Sequence, residues 1–404
     1  MSDYLGAAAR IHKWLDHLQI KQERGAIVNR DEQRRMILQH PVKGELDLTA
    51  ELPAGEIFEC HGMGLHVPGK LNAGDDIQIH DAGGIFDPID GRVQGEHYST
   101  SHFALLSAIL HRETGEKRFL DNARQAIDFH LRTSPNEYAP FSEWMYHWDF
   151  QNYAFVLTYR LLQEYLNERD RERWKTGLLG WQTNHYNKLT NWAGMRAWAY
   201  AERHELFGKF ADRMRSIWNL RTVERACQGD GCFDDNPGLS RPIQYHIFTI
   251  AILHRMLLLK DSPKMRHCFL AGVDYFTPFI DPDGDFNYIG RGQEQIFGYG
   301  SAIYALEAAA LETGKSEYRE QAERMFDYLL RYHKGNFFPL VLNDQPDEKR
   351  SGWYDYHHST VYNAHLAVWL GLAHLLNSSA KQNKKIGASP KTANRSDASF
   401  PRRR

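Results

Sequence analysis

Two stretches of the chain, ETGEKRFLDNARQAIDFHL at residues 113–131 and ETGKSEYREQAERMFDYLL at residues 312–330, are written on one pattern. After Glu113-Thr114-Gly115 come Phe119, Ala123, Asp128, Phe129 and Leu131. After Glu312-Thr313-Gly314, at the same offsets, come Tyr318, Ala322, Asp327, Tyr328 and Leu330. The apolar positions keep to one face at helical spacing. A helical unit is therefore used more than once, and further copies are visible outside these two stretches.

Six clusters of aromatic, histidine and amide residues run straight into apolar, small-residue segments. They are Glu96-His97-Tyr98, Trp148-Asp149-Phe150-Gln151-Asn152, Asn191-Trp192, Gln244-Tyr245-His246, Arg291-Gly292-Gln293-Glu294 and Tyr356-His357-His358. They recur roughly every 40–65 residues, about the length of a helix pair with its loops. Buried inner helices are expected at Ser99–Arg112, Phe150–Leu166, Trp192–Phe207, Tyr245–Leu259, Gln293–Thr313 and Ser359–Leu376, which carry few charges on any face. Amphipathic outer helices are expected at Lys117–Arg132, Arg169–Gly180, Lys209–Ala226, Pro263–Phe276 and Ser316–Tyr332. This alternation predicts a mainly all-α fold, an (α/α)6 toroid of helical hairpins over residues 94–378, with one pocket where equivalent helix ends meet. Few segments read as strands, which disfavours a TIM barrel; a straight helical-repeat solenoid is the main rival.

Residues 1–93 read as a small N-terminal annex. Residues 1–40 read as helix, since Leu5, Ala8, Ile11, Trp14, Leu15 and Leu18 keep to one face at helical spacing. From Pro41 to Pro88, Gly, Pro and Asp are frequent, and pieces such as Ile77-Gln78-Ile79 predict a few strands or extended loops covering one mouth of the toroid. Residues 379–404, ending Pro401-Arg402-Arg403-Arg404, form a basic tail without apolar period and are expected to be disordered.

The 404 residues allow a large core, and 42% hydrophobic with 25% charged residues is ordinary for a globular protein. A net charge of −2 provides no global field to recruit nucleic acid. No apolar run approaches the ~20 residues that span a membrane, and Met1-Ser2-Asp3-Tyr4-Leu5-Gly6 lacks the features of a signal peptide. As the sequence stands the expected location is cytoplasmic, or periplasmic or secreted if a leader was removed. Cys60, Cys227, Cys232 and Cys268 show no zinc spacing and are expected to be free, structural thiols. The aromatic share, 13%, is high enough to line a sugar-binding cleft as well as a core.

The segment from Asp230 to His246, with its Asp230-Gly231-Cys232-Phe233 turn and Tyr245-His246 at a helix start, resembles the catalytic-tyrosine region of polysaccharide lyases with helical toroids, such as alginate and heparinase-type lyases. The resemblance covers roughly residues 95–376. In it the preceding hairpin begins with an asparagine, here Asn191 in Thr190-Asn191-Trp192-Ala193-Gly194. Those families often have Asn-His there; this chain has Asn191-Trp192, with Asn184-His185-Tyr186 a little upstream. Several relatives also carry a C-terminal β-sandwich, for which this chain has no room. The resemblance implies β-elimination of a uronic-acid-containing polysaccharide.

That chemistry asks for the residue types present. A proton alpha to a carboxylate becomes removable once the carboxylate is neutralised. A Tyr or His within reach then takes the proton, and Tyr can return one to the leaving oxygen. Asn191, Arg241, Tyr245 and His246 are the candidate catalytic residues. Candidate substrate-binding residues are Glu96, His97, Tyr98, Trp148, Asp149, Gln151, Asn152, Trp192, Asp235, Arg291, Glu294, Tyr299, Trp353, Tyr356, His357 and His358. Arg291 is suited to clamp a carboxylate. His357, His358 and Glu96 are of types that suit zinc, but His-rich helix ends are more often hydrogen-bonded, so neither metal nor cofactor is expected. The expected partner is an acidic polysaccharide or oligosaccharide, without nucleic acid or membrane; the oligomeric state is left open. Three rival functions follow from the same residues. One is an inverting glycoside hydrolase using Asp149, Asp235 or Glu294, another a sugar epimerase or isomerase with paired His, and the third a helical-repeat binding scaffold.

Overall fold

The computed structural model describes residues 2–21, 24–30, 36–40, 44–47, 57–60, 63–66, 76–79, 82–89, 92–93, 97–132, 147–181, 183, 189–235, 241–286, 292, 294–342 and 359–385. Among them, inner helices α2 (Ser99–Thr114), α4 (Trp148–Leu162), α6 (Thr190–Phe207), α8 (Ile243–Leu259), α10 (Ile296–Thr313) and α12 (Ser359–Lys385) alternate with outer ones. The outer helices are α1 (Tyr4–Leu18), α3 (Lys117–Arg132), α5 (Glu168–Gly180), α7 (Phe210–Ala226), α9 (Pro263–Phe276) and α11 (Ser316–Arg331). Around the inner ring α2 packs on α4, then α6, α8, α10 and α12 follow in turn, and α12 returns to α2. Each outer helix lies on an inner partner, with α1 covering α12. The architecture is the helical toroid, closed rather than open, which rules out the straight solenoid.

The residues explain the two layers. In α10 every position from Ile296 to Ala310 is buried, as a helix apolar all round requires. In α11 only Tyr318, Ala322, Met325, Phe326, Tyr328 and Leu329 are buried, a single stripe. The repeated Glu-Thr-Gly is the inner-to-outer turn. Gly115 and Gly314 end α2 and α10 at φ 74° and 75°, a left-handed conformation that costs glycine little. The threonine before each glycine donates to a carbonyl one turn back, Leu110 O at 2.8 Å and Ala309 O at 2.7 Å.

The outer-to-inner turn has its own signature. Gly231 and Gly284 stand at φ 88° and 94°, pressed against the next outer helix; a Cβ would come 2.3 Å from Ala271 O and 2.1 Å from Arg324 O respectively. Each turn closes with an isolated bridge, Cys227 to Phe233 and Ile280 to Phe286. The ring is sealed by polar contacts of α1 and of the segment before α2. Tyr4 donates to Glu307 Oε1 at 2.8 Å, and His12 Nε2 meets Ser107 Oγ at 2.9 Å.

The annex departs from the sequence reading. Helix stops at Leu18, where the apolar face ends, and Gln19 is already extended. Residues 24–30 and 36–40 are strands, not helix: β1 (Arg24–Arg30) contains Ile27-Val28, and such β-branched neighbours suit a pleated strand. With β2 (Met36–His40), β3 (Gly44–Asp47), β4 (Ile57–Cys60), β5 (Met63–His66) and β6 (Asp76–Ile79) it forms an antiparallel sheet in the order β3-β2-β1-β6-β5-β4. A two-stranded ladder, β7 (Phe86–Asp87) with β8 (Arg92–Val93), precedes α2. Residues 379–385, expected to belong to the disordered tail, continue α12 as helix, and residues 386–404 lie outside the described residues. Among the described residues no helix is long and apolar enough to cross a membrane.

Burial lowers the pKa of His12 and of His102 to about 3, and that of His130 to about 4. An unfolded chain holds these imidazoles near 6.5, so below that value the unfolded state binds protons that the folded state refuses. Their stabilisation is present above pH 6.5 and is lost as pH falls toward 4. Asp149, raised to about 7 by burial against the opposing pull of Arg196, works the other way. Denaturant unfolding at pH 5 against pH 7.5 is expected to show a loss on the order of 1–2 kcal/mol per imidazole, less the Asp149 contribution. Equal or greater stability at pH 5 would contradict it.

Candidate active site

The first turn of every inner helix, or its capping residue, opens into one cavity of about 280 Å³. Tyr98 comes from the start of α2, His147 and Phe150 from α4, and Leu189, Asn191 and Trp192 from α6. Gln244 and Tyr245 come from α8, Gln295 and Phe297 from α10, and Val361 and Tyr362 from α12; His97 and Asp235 complete the wall. The six inner helices therefore run in one direction. Ring stacking builds the apolar surface: Tyr98 lies on Phe150 at 4.2 Å, Phe150 on Phe248 at 5.5 Å, and Phe297 on His365 at 4.2 Å.

The segment before α2 is tied down from both sides. Gln151 Nε2 donates to His97 O at 2.8 Å. His102 Nδ1 lies 2.9 Å from Tyr98 O and must carry the proton there, which leaves Nε2 to accept from Tyr153. His97 and His147 then face each other with ring centres 4.6 Å apart. Burial raises the Tyr98 hydroxyl well above its ordinary pKa, and the nearby Tyr245 adds to the shift.

Asn191 is the most constrained polar group. Its Nδ2 donates to Asp235 Oδ1, while Thr190 N donates to Asp235 O at 2.8 Å. Its own Oδ1 is buried without a partner among the described residues, as are Gln244 Oε1 and Gln295 Nε2. Two open acceptors and one open donor are what the hydroxyls or a protonated carboxyl of a ligand would satisfy. Among the described residues Asp235 is the one carboxylate on the wall.

A comparison within the ring shows how Asp235 came to be there. Gly83, at φ 90° against Gln125 O, is the counterpart of Gly231. Four residues after Gly83 stands Asp87, whose Oδ2 accepts from Thr360 N at 2.8 Å and Thr360 Oγ1 at 2.6 Å. Four residues after Gly231 stands Asp235. Both aspartates grip the second residue of the preceding inner helix, Thr360 in α12 and Asn191 in α6. The clamp is a device of the repeat; only the residue it holds differs.

Several residues named from the sequence lie away from the cavity. His246 is buried with Nδ1 accepting from Phe233 N at 3.0 Å and Nε2 donating to Gly272 O at 2.9 Å, so both ring nitrogens serve main chain. Burial lowers its pKa to about 4. Arg241 is half-exposed and pairs with Asp234 at 2.7 Å and Asp230 at 3.1 Å, holding the turn. Asp149 pairs with Arg196 at 2.8 Å between the neighbouring inner helices α4 and α6. Tyr299 donates to Asp285 at 2.9 Å and accepts from Phe286 N at 3.0 Å. Glu294 adopts φ 58°, and its carbonyl accepts from Leu342 N at 2.9 Å. Trp148, Gln151 and Asn152 are buried behind the wall. Glu96, Arg291, Trp353, Tyr356, His357 and His358 lie outside the described residues. Conversely His147, Gln244, Gln295, Phe297 and Tyr362 line the cavity; their signal was position, at the cap or first turn of an inner helix.

No family model matches the chain, and the comparison with curated proteins gives no match. Solved structures do match in fold. An α-1,6-mannanase of family GH76 from a Salegentibacter species, an inactive variant in complex with α-1,6-mannotriose, superposes with TM-score 0.57 at 11% identity, covering 92% of this chain and 99% of that one. Cellobiose 2-epimerase from Bacillus thermoamylovorans gives 0.52 at 14% identity, over 72% and 92% of the two chains. A polysaccharide lyase gives 0.50 at 12% identity, over 70% and 92%. At such identities the likeness is one of fold, the toroid.

The clamp comparison is open to test. Asn191→Thr places at α6 the residue that α12 carries under the same aspartate, so unfolding free energy is expected to change by no more than about 1 kcal/mol. Asn191→Leu removes the donor from a buried carboxylate and is expected to cost about 1–3 kcal/mol. Denaturant titration of both variants checks this, and equal losses would contradict the equivalence.

Proposed function

We propose that the chain is an enzyme, a lyase that cleaves a uronic-acid-containing polysaccharide by β-elimination in this cavity. The observation that carries the reading is the clamped Asn191–Asp235 pair on the same wall as Tyr245, among aromatic rings suited to sugar faces. Six helix N-termini directed at one cavity add positive potential, which favours an anionic ligand.

The uronate carboxyl is received beside Asn191, whose open Oδ1 accepts from it once it is protonated and whose Nδ2 is held by Asp235. Two carboxylates so close do not both ionise, so one proton is shared between substrate and Asp235. That proton neutralises the uronate, as removal of the neighbouring C5 hydrogen requires. Tyr245 takes the C5 proton and returns one to the O4 leaving group as the C4–O4 bond breaks. The electron pair of the C5–H bond becomes the C4–C5 double bond. His97 and His147 are further proton acceptors in the same wall. His246 and Arg241 have no part in this scheme, because their polar atoms hold the chain itself.

The match to a mannanase supports a second reading, a glycoside hydrolase, which in its inverting form would use Asp235 as one of two carboxylates. Such a pair stands ~6.5–9.5 Å apart. Asp149 is engaged by Arg196, away from the cavity, and Glu294 does not line it, so the described residues favour elimination.

Incubation with a panel of acidic polysaccharides is expected to raise the ultraviolet absorbance of an unsaturated uronate. Tyr245→Phe is expected to lower that rate 10²–10⁴-fold, with stability changed by only about 1 kcal/mol. A near-normal rate would remove Tyr245 from the mechanism. New reducing ends without absorbance would select the hydrolase.

A further inference from the structure

The outward face of α7 differs from that of an ordinary solvated helix. Phe210, Met214 and Trp218, four residues apart, stand 69%, 48% and 73% exposed, and they are three of the four exposed large hydrophobic residues among those described. Arg221 and Arg225 continue the row and are exposed too. Steps of four, four, three and four residues keep all five on one stripe. At 1.5 Å per residue the row is about 22 Å long. The opposite side, Asp212, Ser216, Asn219, Val223 and Ala226, is buried.

The charge on this face has one sign. Arg213, Arg221 and Arg225 are exposed, and among the described residues none of them pairs with a carboxylate. Both acids of the helix are engaged elsewhere: buried Asp212 with Arg203 at 2.7 Å, and Glu224 with Lys264 at 3.0 Å. The row also has a direction. α6 begins at the cavity and ends at Gly208, so α7 starts at the far end of the ring and returns toward Asp235. The arginines therefore sit at the cavity end of the track and the rings at the far end.

We propose that this face is a secondary binding track for an acidic polysaccharide, with sugar rings on Trp218 and Phe210 and carboxylates at Arg221 and Arg225. The polymer's chemistry rests on the lyase reading of the cavity. Exposed aromatic rings offer rigid apolar surface to the C–H faces of sugars, and the arginine fork takes a carboxylate through two parallel hydrogen bonds. A second copy of the chain joined through this face by a two-fold would bring arginine-bearing helices together. A bilayer-seeking helix keeps its apolar and cationic residues on opposite faces, whereas here both share one. Interspersed rings and cations along an extended line fit an anionic sugar polymer.

The test is native electrophoresis of the full chain in gels containing alginate, polygalacturonate, hyaluronan or neutral dextran. The protein is expected to be retarded by at least one of the acidic polymers, less so with added salt, and not by dextran. Trp218→Ala, and Arg221→Ala with Arg225→Ala, are each expected to weaken retention about fivefold or more with an unchanged Tm. Cleavage of a short oligosaccharide should stay at the wild-type rate while cleavage of polymer falls. Wild-type protein that is not retarded, or variants retained as well as wild type, would overturn the track whatever the cavity does. So would a dimer in light scattering that Trp218→Ala dissolves, or binding to phosphatidylserine vesicles without binding to polymer. Retention that depends on Trp218 and the arginines, in a protein that cleaves none of the polymers, would uphold the track and count against the lyase alone.

Discussion

Everything at the candidate site depends on one constraint, that the six inner helices run parallel and bring six helix starts to one end of the ring. A helix start leaves backbone N–H groups without intrahelical partners and carries the positive end of the helix dipole. Six of them around one space need polar residues nearby while the rest of each inner helix stays apolar. The sequence meets that need with a polar or aromatic cluster before each buried run. The cavity and the core are thus two consequences of one arrangement: below the first turn the axis is packed with rings such as Phe248, His365 and Trp369.

The turns make the arrangement possible. Left-handed glycines end α2, α6 and α10 and send the chain outward, and the turns at Gly231 and Gly284 send it back against the next outer helix. The aspartate four residues past Gly83 and Gly231 then ties each returning segment to its neighbour. Where the residue held is Thr360 the clamp is part of the seam between α12 and the start of the ring. Where it is Asn191 the same clamp places an amide in the wall. A site can arise on a symmetric ring by changing one residue within a contact that stability already requires.

Much of this was legible in the chain. Helical period, the repeated Glu-Thr-Gly and the recurring clusters gave the toroid and most of its helices to within a few residues, because amphipathic alternation is a local signal; α1 stops at Leu18 and α12 runs on to Lys385, beyond the expected Leu376. The residues that reach the cavity were less so. Tyr245 and His246 are neighbours at one helix start, yet successive positions on a helix point about 100° apart; Tyr245 lines the cavity while His246 turns to Phe233 and Gly272. Asp149 and Arg241 lie away from the cavity for a related reason. Each has an opposite charge within 3 Å, Arg196 and Asp234, that no linear pattern reveals. Strands at residues 24–30 and 36–40 were hidden by a helical pattern that ends at Leu18, and the sheet's long-range pairing, β1 to β6, has no local signature.

On the function proposed, this cavity breaks a glycosidic bond by moving a proton, without adding water. Cleavage carried out in water enriched in oxygen-18, followed by mass spectrometry of both new ends, tests it most directly. Elimination leaves an unsaturated non-reducing end, and the bond-breaking step incorporates no label into either fragment once exchange at the reducing carbon is corrected for. One labelled oxygen per bond broken, with a saturated non-reducing end, would contradict it.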